Sequence, residues 1–401
     1  MRLFTHMQVK WQGLLNMIFN SLGSNYDFEY VIKSLFGFSS NTSRSKLVSF
    51  LDNKYQGKTI LLYKGREAIK LALNVLKLPK GSRVGITGFT CFAVYQAVKE
   101  AGCVPEYIDI EDRTLNFTVE ELAKHKSLKV IIVQNTLGNA CDIEDILSFC
   151  KRNKVYLIED MAHSVGINYK NKKEVGTCGD FTAMSFSQDK MLDAVSGGAL
   201  VVRNRDFQGK LKEVNLEDLS IKKQVVDRFY PLFTFLIRKT YGLGVGKLLH
   251  FILKRLKLLS QPMPEDGRIR FHSLPGWYCA LVIYQFSRMD ETLKHRRKII
   301  ETYKDKIQSK AVGIIRFPIF IDGRDKLIKY LGRYGVYISD VWYDAQISPR
   351  RYLKLTDYEK GECPISEKIS NEIVNLPTHK NVSEKDALFI ASKINQWLNM
   401  K

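Results

Sequence analysis

The sequence has few residues that could build a metal centre or a disulfide framework. Its seven cysteines include no Cys-x-x-Cys pair, and its seven histidines show no paired spacing with cysteine or acid. We therefore predict no metal site. An odd number of cysteines in a chain of 401 residues indicates reduced thiols, which are typical of a cytosolic compartment.

Long hydrophobic runs are also absent. No run approaches the roughly 18 apolar residues of a membrane-spanning helix. Residues 1–6 do not begin an uninterrupted apolar stretch that ends in a small-residue cleavage site. We therefore expect no spanning helix and no signal peptide, and we expect a cytoplasmic location.

Acidic residues are scarce relative to basic ones. Lysine and arginine number 62 against 42 aspartates and glutamates, which gives a formal net charge of +20. Such a field favours anionic partners, among them sugar nucleotides, anionic lipid and nucleic acid. The basic residues are dispersed or concentrated in residues 221–260, and no nucleic-acid recognition motif is present. We therefore expect no nucleic-acid partner.

Strand-like and helix-like segments alternate from about Lys58 onward. The predicted strands are 83–87, 104–110, 129–134 and 155–159, and the predicted helices are 67–76, 92–101, 119–125 and 143–152. This alternation predicts an α/β fold with a mainly parallel sheet flanked by helices. In such sheets, ligands bind beyond the carboxyl ends of the strands.

Changes in composition predict four parts. They are an N-terminal helical extension (1–57), a large domain (58–215), a basic amphipathic insertion (216–262) and a smaller C-terminal α/β domain (263–401) with a long helical stretch through 277–303. Residues 221–260 carry nine cations and one acid, interleaved with aromatic and aliphatic residues. This pattern is typical of a segment that lies on an anionic membrane surface. It is also typical of a helical hairpin packed on its own domain or on a dimer partner.

Lys190 is the most informative residue of the chain. It follows Ser185 by five positions, and Asp160 lies thirty residues upstream at the end of an apolar run. A reactive amine and a buried acid in this order suit an enzyme that uses pyridoxal 5′-phosphate (PLP). The lysine would hold the cofactor's aldehyde covalently, and the aspartate would keep the pyridine nitrogen protonated. Each residue alone would be a weak signal, because most lysines are solvated and many strand-end acids cap helices.

The phosphate of such a cofactor needs backbone N–H donors and hydroxyls, which the start of a helix supplies. Gly65 and Arg66 begin an apolar helical segment, and Ser185 can add a hydroxyl from the strand that precedes Lys190. We therefore predict that Gly65, Arg66 and Ser185 bind the phosphate. Taken alone, Gly65 and Arg66 would also fit an ordinary helix entrance.

Together these motifs resemble the DegT/StrS family of sugar aminotransferases. The resemblance runs from about residue 58 to 207 and returns in residues 288–297 and 375–379. Its ordered motifs are Gly65-Arg66, Gly88-Phe89-Thr90, Val104-x-x-Tyr107-Ile108-Asp109, Leu137-Gly138-x-x-Cys141-Asp142, Glu159-Asp160-x-Ala162-His163, Gly179-Asp180, Ser185-Phe186-x-x-x-Lys190 and Gly197-Gly198-Ala199. The resemblance implies the PLP-transferase fold of type I, a homodimer, and transfer of an amino group, commonly from glutamate, to a keto sugar on a nucleotide carrier.

The resemblance also assigns roles by position. Lys190 matches the family's cofactor-bearing lysine, and Asp160 matches the carboxylate that pairs with the pyridinium. His163 falls where the family has a glutamine or histidine near the cofactor's phenolic oxygen; a core histidine or a helix cap is the alternative. Ser185 and the Gly65-Arg66 turn match the phosphate cup. Family members that are dehydratases replace the lysine with histidine, so Lys190 indicates an aminotransferase.

Two positions depart from the family pattern. Where members place an aromatic residue against the cofactor ring, this chain has Cys91 followed by Phe92, and both are candidates for cofactor contact. Where members lend an asparagine to the partner subunit's phosphate, this chain reads Phe271-His272-Ser273. The pair Trp342-Tyr343, within residues 339–344, is a candidate surface for a sugar or base, or a part of the core.

We therefore predict a PLP-dependent aminotransferase that acts on a nucleotide-linked keto sugar and an amino-acid donor, in the biosynthesis of a cell-surface polysaccharide or glycoconjugate. One alternative is a protein that keeps the scaffold and binds membrane or nucleic acid. Another is a different PLP-dependent reaction. The charge of residues 221–260 leaves open a peripheral attachment to the inner face of the membrane.

Overall fold

The computed structural model describes residues 17–37, 41–261, 268–338 and 342–400. Residues 1–16 and 38–40 of the predicted extension, residues 262–267 at the boundary between the predicted insertion and the C-terminal domain, and residues 339–341 of the predicted sugar-facing stretch lie outside the described ranges.

The strands and helices are numbered in chain order. The strands are β1 (Ile18–Phe19), β2 (Lys58–Leu62), β3 (Arg83–Thr87), β4 (Thr90–Cys91), β5 (Val104–Ile108), β6 (Leu128–Val133), β7 (Tyr156–Asp160), β8 (Phe181–Ser185), β9 (Gly198–Val202), β10 (Arg316–Phe320), β11 (Val336–Tyr337), β12 (Ile347–Ser348) and β13 (Ile373–Pro377). The helices are α1 (Phe28–Phe36), α2 (Asn41–Tyr55), α3 (Gly65–Leu76), α4 (Phe92–Glu100), α5 (Val119–Leu122), α6 (Ile143–Asn153), α7 (Arg205–Gln208), α8 (Ile221–Thr240), α9 (Val245–Arg255), α10 (Gly276–Ser287), α11 (Met289–Lys304), α12 (Arg324–Gly332), α13 (Pro364–Glu372) and α14 (Glu384–Leu398).

A seven-stranded sheet in the order β2-β9-β8-β7-β6-β3-β5 lies at the centre. The strands from β8 to β5 are parallel, and β9 and β2 join antiparallel at one edge. The inner strands β8 and β9 are buried along their whole length, as expected for a sheet covered on both faces. The predicted mainly parallel α/β sheet is confirmed.

Two hydrophobic cores cover the faces of this sheet. On β6, Ile131 and Val133 belong to one core with residues of α2, α6 and α10, whereas Val130 and Ile132 belong to the other with residues of α3 and α4. This division follows from the alternation of side chains along a strand. A third core lies in the C-terminal part, around α11, α14 and the antiparallel pair β10 and β13.

The helical stretch expected through 277–303 is two helices. The backbone leaves the helical conformation at Arg288, which has φ −110° and ψ 12°. The Arg288 guanidinium binds the carboxylates of Glu29 and Glu291 and the hydroxyl of Tyr284. These side-chain contacts stabilise the break between α10 and α11. The expected helical stretch is therefore present, with a break at Arg288 between its two helices.

The basic insertion forms a helical hairpin of α8 and α9. Ser220 caps α8 by accepting a hydrogen bond from the Lys223 N–H, and Gly244, with φ +82°, begins α9 in a conformation that glycine adopts without strain. Across the described ranges, no helix combines the length and the apolar composition needed to cross a bilayer. The four predicted domain bounds remain a prediction.

The adjacent acids Glu159 and Asp160 on β7 point to opposite faces of the sheet. Glu159 is fully buried, and its carboxylate accepts hydrogen bonds from the backbone N–H groups of Gly176, Cys178 and Gly179 at 2.5 to 2.7 Å. The Tyr169 hydroxyl donates a further bond at 2.7 Å. Glu159 therefore ties together the loop that connects β7 to β8.

We predict that Glu159→Gln lowers the free energy of unfolding by about 3 kcal/mol. The glutamine NH₂ group would face backbone N–H groups that now donate to the carboxylate, and the negative charge that strengthens these bonds would be lost. Chemical denaturation measures the change. The matched control is Glu174→Gln, whose partly exposed ion pair with Lys54 should contribute less than about 1 kcal/mol. Equal losses in the two variants would contradict this assignment.

Candidate active site

The predicted site residues converge at one edge of the sheet. Asp160 and Ser185 end the neighbouring parallel strands β7 and β8, and Asp160 pairs in register with Ala183. Gly198, the first residue of β9, lies opposite both Ser185 and Leu62, which ends β2. The edge where these strands end is the position at which α/β sheets bind ligands.

The first turn of α3 lies directly against Ser185. A Cβ atom added to Gly65 would be 2.7 Å from Ser185 Cβ and 3.1 Å from its Oγ, and one added to Gly198 would be 2.6 Å from the carbonyl carbon of Lys64. Only glycine permits this approach at either position. The helix N-terminus and the serine hydroxyl therefore form one cradle that suits a phosphate group.

Two cations border the cradle. Arg66, predicted from the sequence, is half-buried and donates a hydrogen bond from Nη1 to Gln96 Oε1 at 3.1 Å. Lys64 is buried and donates to Ser196 Oγ at 2.8 Å, and burial lowers its pKa to about 8. Sequence reasoning missed Lys64, although its position immediately before Gly65 was a usable signal.

Asp160 is buried with little compensation for its charge. Its Oδ1 accepts a hydrogen bond from the Ala162 N–H at 3.0 Å. Burial raises the pKa of the carboxyl to about 6, against the opposing effects of this hydrogen bond and of the Lys190 charge. A carboxylate in such a position gains from a cationic partner, which a protonated pyridine nitrogen provides.

His163 and Lys190 are hydrogen-bonded to each other, with 3.2 Å between His163 Nε2 and Lys190 Nζ. Burial, followed by the charges of Lys190 and Arg316, lowers the pKa of His163 well below its usual value, so the ring is neutral at neutral pH. Burial also lowers the pKa of Lys190. The structure thus brings together two residues that the sequence placed 27 positions apart.

The hydrogen bonds of the other ring nitrogen, His163 Nδ1, determine whether His163 or Lys190 is the donor in the bond between them. Nδ1 accepts from the Leu137 backbone N–H at 3.3 Å, and the Tyr343 hydroxyl lies 3.2 Å from the same atom. The Tyr343 oxygen accepts from Gln134 Nε2 at 2.9 Å, which leaves the tyrosine proton for His163. Nδ1 is therefore unprotonated and the proton is on Nε2. The Nε2–H can donate only to the neutral form of the Lys190 amine, so this tautomer favours that form.

Trp342 covers the amine of Lys190. The Lys190 Nζ lies 4.6 Å from the centre of the indole ring. The His163 ring stacks on the same indole, with 5.0 Å between the ring centres and 24° between the ring planes. The Arg316 guanidinium lies 5.0 Å from the same ring. Of the predicted aromatic pair, Trp342 thus lies in the site, whereas Tyr343 is buried and acts through His163.

Cys91 and Phe92 are the two residues predicted to contact the cofactor ring. Cys91 lies near Lys190, whereas Phe92 packs on another aromatic residue. Cys91 is half-buried, and a thiolate there would raise the pKa of Lys190, against the larger lowering by burial. Phe92 instead stacks on Tyr352, with ring centres 4.8 Å apart and an angle of 19°. The role of each in binding the ring stays a prediction.

Residues 271–273 occupy the position where family members lend an asparagine to the partner subunit's phosphate. In this chain they lie against α3 of the same chain. The His272 N–H donates to Glu67 Oε2 at 2.9 Å, and His272 Nδ1 lies 3.4 Å from Oε1. Ser273 forms an isolated bridge with Leu62. The segment therefore supports the first turn of α3, where the cradle is formed.

Residues near the N-terminus support the lysine loop, a contribution that the sequence did not reveal. Tyr26 Oη donates to Asp193 Oδ1 at 2.5 Å, and Asn25 Nδ2 donates to Asp193 Oδ2 at 3.1 Å and to the Lys190 carbonyl at 3.3 Å. Asp193 in turn accepts from the Asp189 N–H at 2.8 Å. These bonds fix the backbone that carries Lys190.

The chemistry of these groups fits PLP. The buried Asp160 would hold the pyridine nitrogen, Lys190 would hold the aldehyde, and the cradle of Gly65, Arg66 and Ser185 would hold the phosphate. The bound cofactor supplies an aldehyde that exchanges an amino group and a ring that accepts electrons.

We predict that Asp160→Asn alters the pH dependence of stability of the cofactor-free protein. The folded-state pKa of about 6 exceeds the usual 3.8, so the folded protein binds the proton more tightly and loses stability as pH rises through this interval. Two pKa units correspond to at most about 3 kcal/mol. Chemical denaturation near pH 4 and pH 7 should show this loss in the wild type and its absence in Asp160→Asn.

The control for this comparison is Asp325→Asn, since the Asp325 side chain is 88% exposed and should leave the profile unchanged. An identical pH dependence in the wild type and Asp160→Asn would refute the assignment.

We predict that Tyr343→Phe raises the pKa of Lys190, because one of the two donors that keep His163 Nδ1 unprotonated is lost. A rise of one unit makes attachment of added PLP about tenfold slower at neutral pH. Visible absorbance against pH measures the attachment. Tyr352→Phe, which removes a hydroxyl outside this hydrogen-bond chain, should leave the profile unchanged. A shift of equal size in both variants would count against the role of Tyr343.

Comparison with known proteins adds an independent line of evidence. The model of the DegT/DnrJ/EryC1/StrS aminotransferase family matches residues 45–232 and 273–395. GDP-perosamine synthase from Vibrio cholerae is 25% identical over 353 residues, which cover 84% of this chain and 85% of that protein.

Solved structures are similar over nearly the whole chain. A DegT DnrJ EryC1 StrS aminotransferase from Brucella abortus has a TM-score of 0.67 at 20% identity, with 92% of this chain and 94% of that one covered. The E. coli GDP-4-keto-6-deoxy-D-mannose-3-dehydratase with bound hydrated PLP has a TM-score of 0.70 at 18% identity, with 94% and 99% covered. The family match extends over most of the chain. The chain belongs to the DegT/DnrJ/EryC1/StrS aminotransferase family and is a PLP-dependent aminotransferase with the type I fold.

Proposed function

We propose that this enzyme transfers an amino group from glutamate to a keto sugar carried on a nucleoside diphosphate. The observation that carries the proposal is the contact between the buried amine of Lys190 and His163, at the sheet edge where Asp160 also ends its strand. The similarity to GDP-perosamine synthase supports a sugar nucleotide as the acceptor. The net charge of +20 supports attraction of a diphosphate.

Lys190 serves as the base and acid of the reaction. An unprotonated amine can take a proton from the carbon that bears the amino group and return a proton during the second half of the cycle. A free lysine titrates near 10.4 and would be protonated at neutral pH. The desolvation of Lys190 and the proton on His163 Nε2 both favour the neutral amine.

Asp160 and the cradle position the reaction. The Asp160 carboxylate orients and stabilises a cationic ring nitrogen, and the start of α3 with Ser185 fixes the opposite, phosphate-bearing end. Trp342 lies over the Lys190 amine and restricts the access of water to it.

We also propose a homodimer that acts in the cytoplasm during the biosynthesis of a cell-surface polysaccharide or glycoconjugate. The family resemblance supports the dimer, and the sugar-nucleotide relatives support the pathway class.

Two half-reactions test the proposed substrates. Glutamate should convert the bound PLP to its amino form, with loss of the visible absorbance, and a nucleotide-linked 3-keto or 4-keto sugar should restore it. Lys190→Ala should lose both conversions by at least about 1,000-fold, because solvent replaces a positioned base poorly. Lys151→Ala, at an exposed position of α6, is the control and should retain both.

Recovery of the absorbance with free 2-keto acids, together with no response to a panel of keto-sugar nucleotides, would replace the sugar assignment with a general aminotransferase. Unchanged conversion in Lys190→Ala would remove Lys190 from the mechanism.

A further inference from the structure

The hairpin of α8 and α9 exposes a large set of apolar side chains. These residues, which we call the hairpin surface, are between 37% and 78% exposed and comprise Ile221, Val225, Phe229, Leu236, Leu243, Val245, Leu248, Phe251, Ile252, Leu256 and Leu258. On α9, positions 245, 248 and 252 follow helical spacing and form one stripe, and Leu256 lies directly after the last residue of the helix. Exposed apolar patches of this extent mark interaction sites.

The exposed charges on the two helices of the hairpin all have one sign. Seven exposed cations lie on or beside the two helices, namely Lys222, Lys223, Lys239, Lys247, Lys254, Arg255 and Lys257, and none of them forms an ion pair with a described residue. The only acid between residues 221 and 260 is Asp227. It is 1% exposed, and its carboxylate accepts hydrogen bonds from the Tyr63 and Tyr278 hydroxyls at 2.7 and 2.8 Å.

The opposite side of the hairpin is fixed to its own chain. Besides Asp227, Arg228 donates to the Gly37 carbonyl at 3.2 Å and Arg238 donates to the Tyr26 carbonyl at 2.8 Å. Gln188 donates to the Ser260 carbonyl at 3.0 Å. The half-buried and buried polar groups thus hold the hairpin in place, and the apolar stripe with its exposed cations is left on the outside. Most of the hairpin, residues 233–260, also lies outside the ranges that match the family model.

We propose that the hairpin surface docks on an anionic lipid membrane. Its apolar side chains would enter the boundary between headgroups and acyl chains, and its lysines would contact lipid phosphates. A second copy of the chain is a poorer occupant, because packing this surface on itself around a two-fold axis would bring the two sets of cations together. The docking is independent of the proposed substrates.

Flotation of the full chain with vesicles tests the proposal. Vesicles of phosphatidylcholine that contain a quarter phosphatidylglycerol should bind the protein, and vesicles of phosphatidylcholine alone should bind much less. Lys247→Gln with Lys254→Gln should weaken the partition coefficient about 25-fold, since each cation near the surface contributes about fivefold. Leu248→Ser with Phe251→Ser should weaken it about 100-fold, because two large exposed side chains no longer enter the bilayer.

Matched controls separate the hairpin from the general charge and surface of the protein. Lys326→Gln with Lys385→Gln removes two exposed cations elsewhere, and Leu388→Ser with Phe389→Ser removes two exposed apolar side chains of α14. Both controls should bind like the wild type, and the half-reactions should be unchanged in all four double variants.

Three outcomes would overturn the proposal. They are equal recovery with neutral and anionic vesicles, no recovery with either, and equal losses in the hairpin variants and their controls. A dimer that dissociates in Leu248→Ser with Phe251→Ser would instead assign the hairpin surface to contact between copies. Each of these results would leave the proposed aminotransferase reaction untouched, because the flotation measurement requires no turnover.

Discussion

The hydrogen bond between His163 and Lys190 is the interaction on which the active-site arrangement depends. It solves an electrostatic problem, because Lys190 lies beside Trp342 and near the buried Arg316, where a second cation would be poorly solvated. A neutral amine avoids this cost and is also the form that reacts with an aldehyde. A proton on His163 Nε2 adds to the effect of burial in favouring the neutral form, so the environment of Nδ1 influences the chemistry at Lys190.

Several distant parts of the chain serve this one bond. Leu137 and Gln134 follow β6, Tyr343 comes from the C-terminal part, and Asn25 and Tyr26 hold the lysine loop from the N-terminal side. Each contact is a hydrogen bond between buried polar groups, and such groups are costly when left unpaired. The network therefore favours a single arrangement, in which a small displacement of the loop would leave buried donors and acceptors unsatisfied.

The hairpin uses the same physical rules with a different result. Its one carboxylate is satisfied inside the molecule by two tyrosines, so its outer face carries cations next to apolar side chains. The charged groups of the active site lie within the fold, whereas the cations on the outer face of the hairpin are exposed.

The sequence by itself determined the alternating elements of the sheet, the reactive pair Lys190 and Asp160, and the glycine at the start of α3. These features depend on local periodicity and on motifs with fixed spacing, which the order of residues records directly. Only the tertiary structure revealed Lys64 and the support from Asn25 and Tyr26. It also placed Trp342 over the Lys190 amine and Tyr343 at His163 Nδ1, and it showed the break between two helices at Arg288. These features arise from contacts between residues that are far apart in the chain, or from side-chain bonds that override helical spacing, and neither leaves a periodic signal in the sequence.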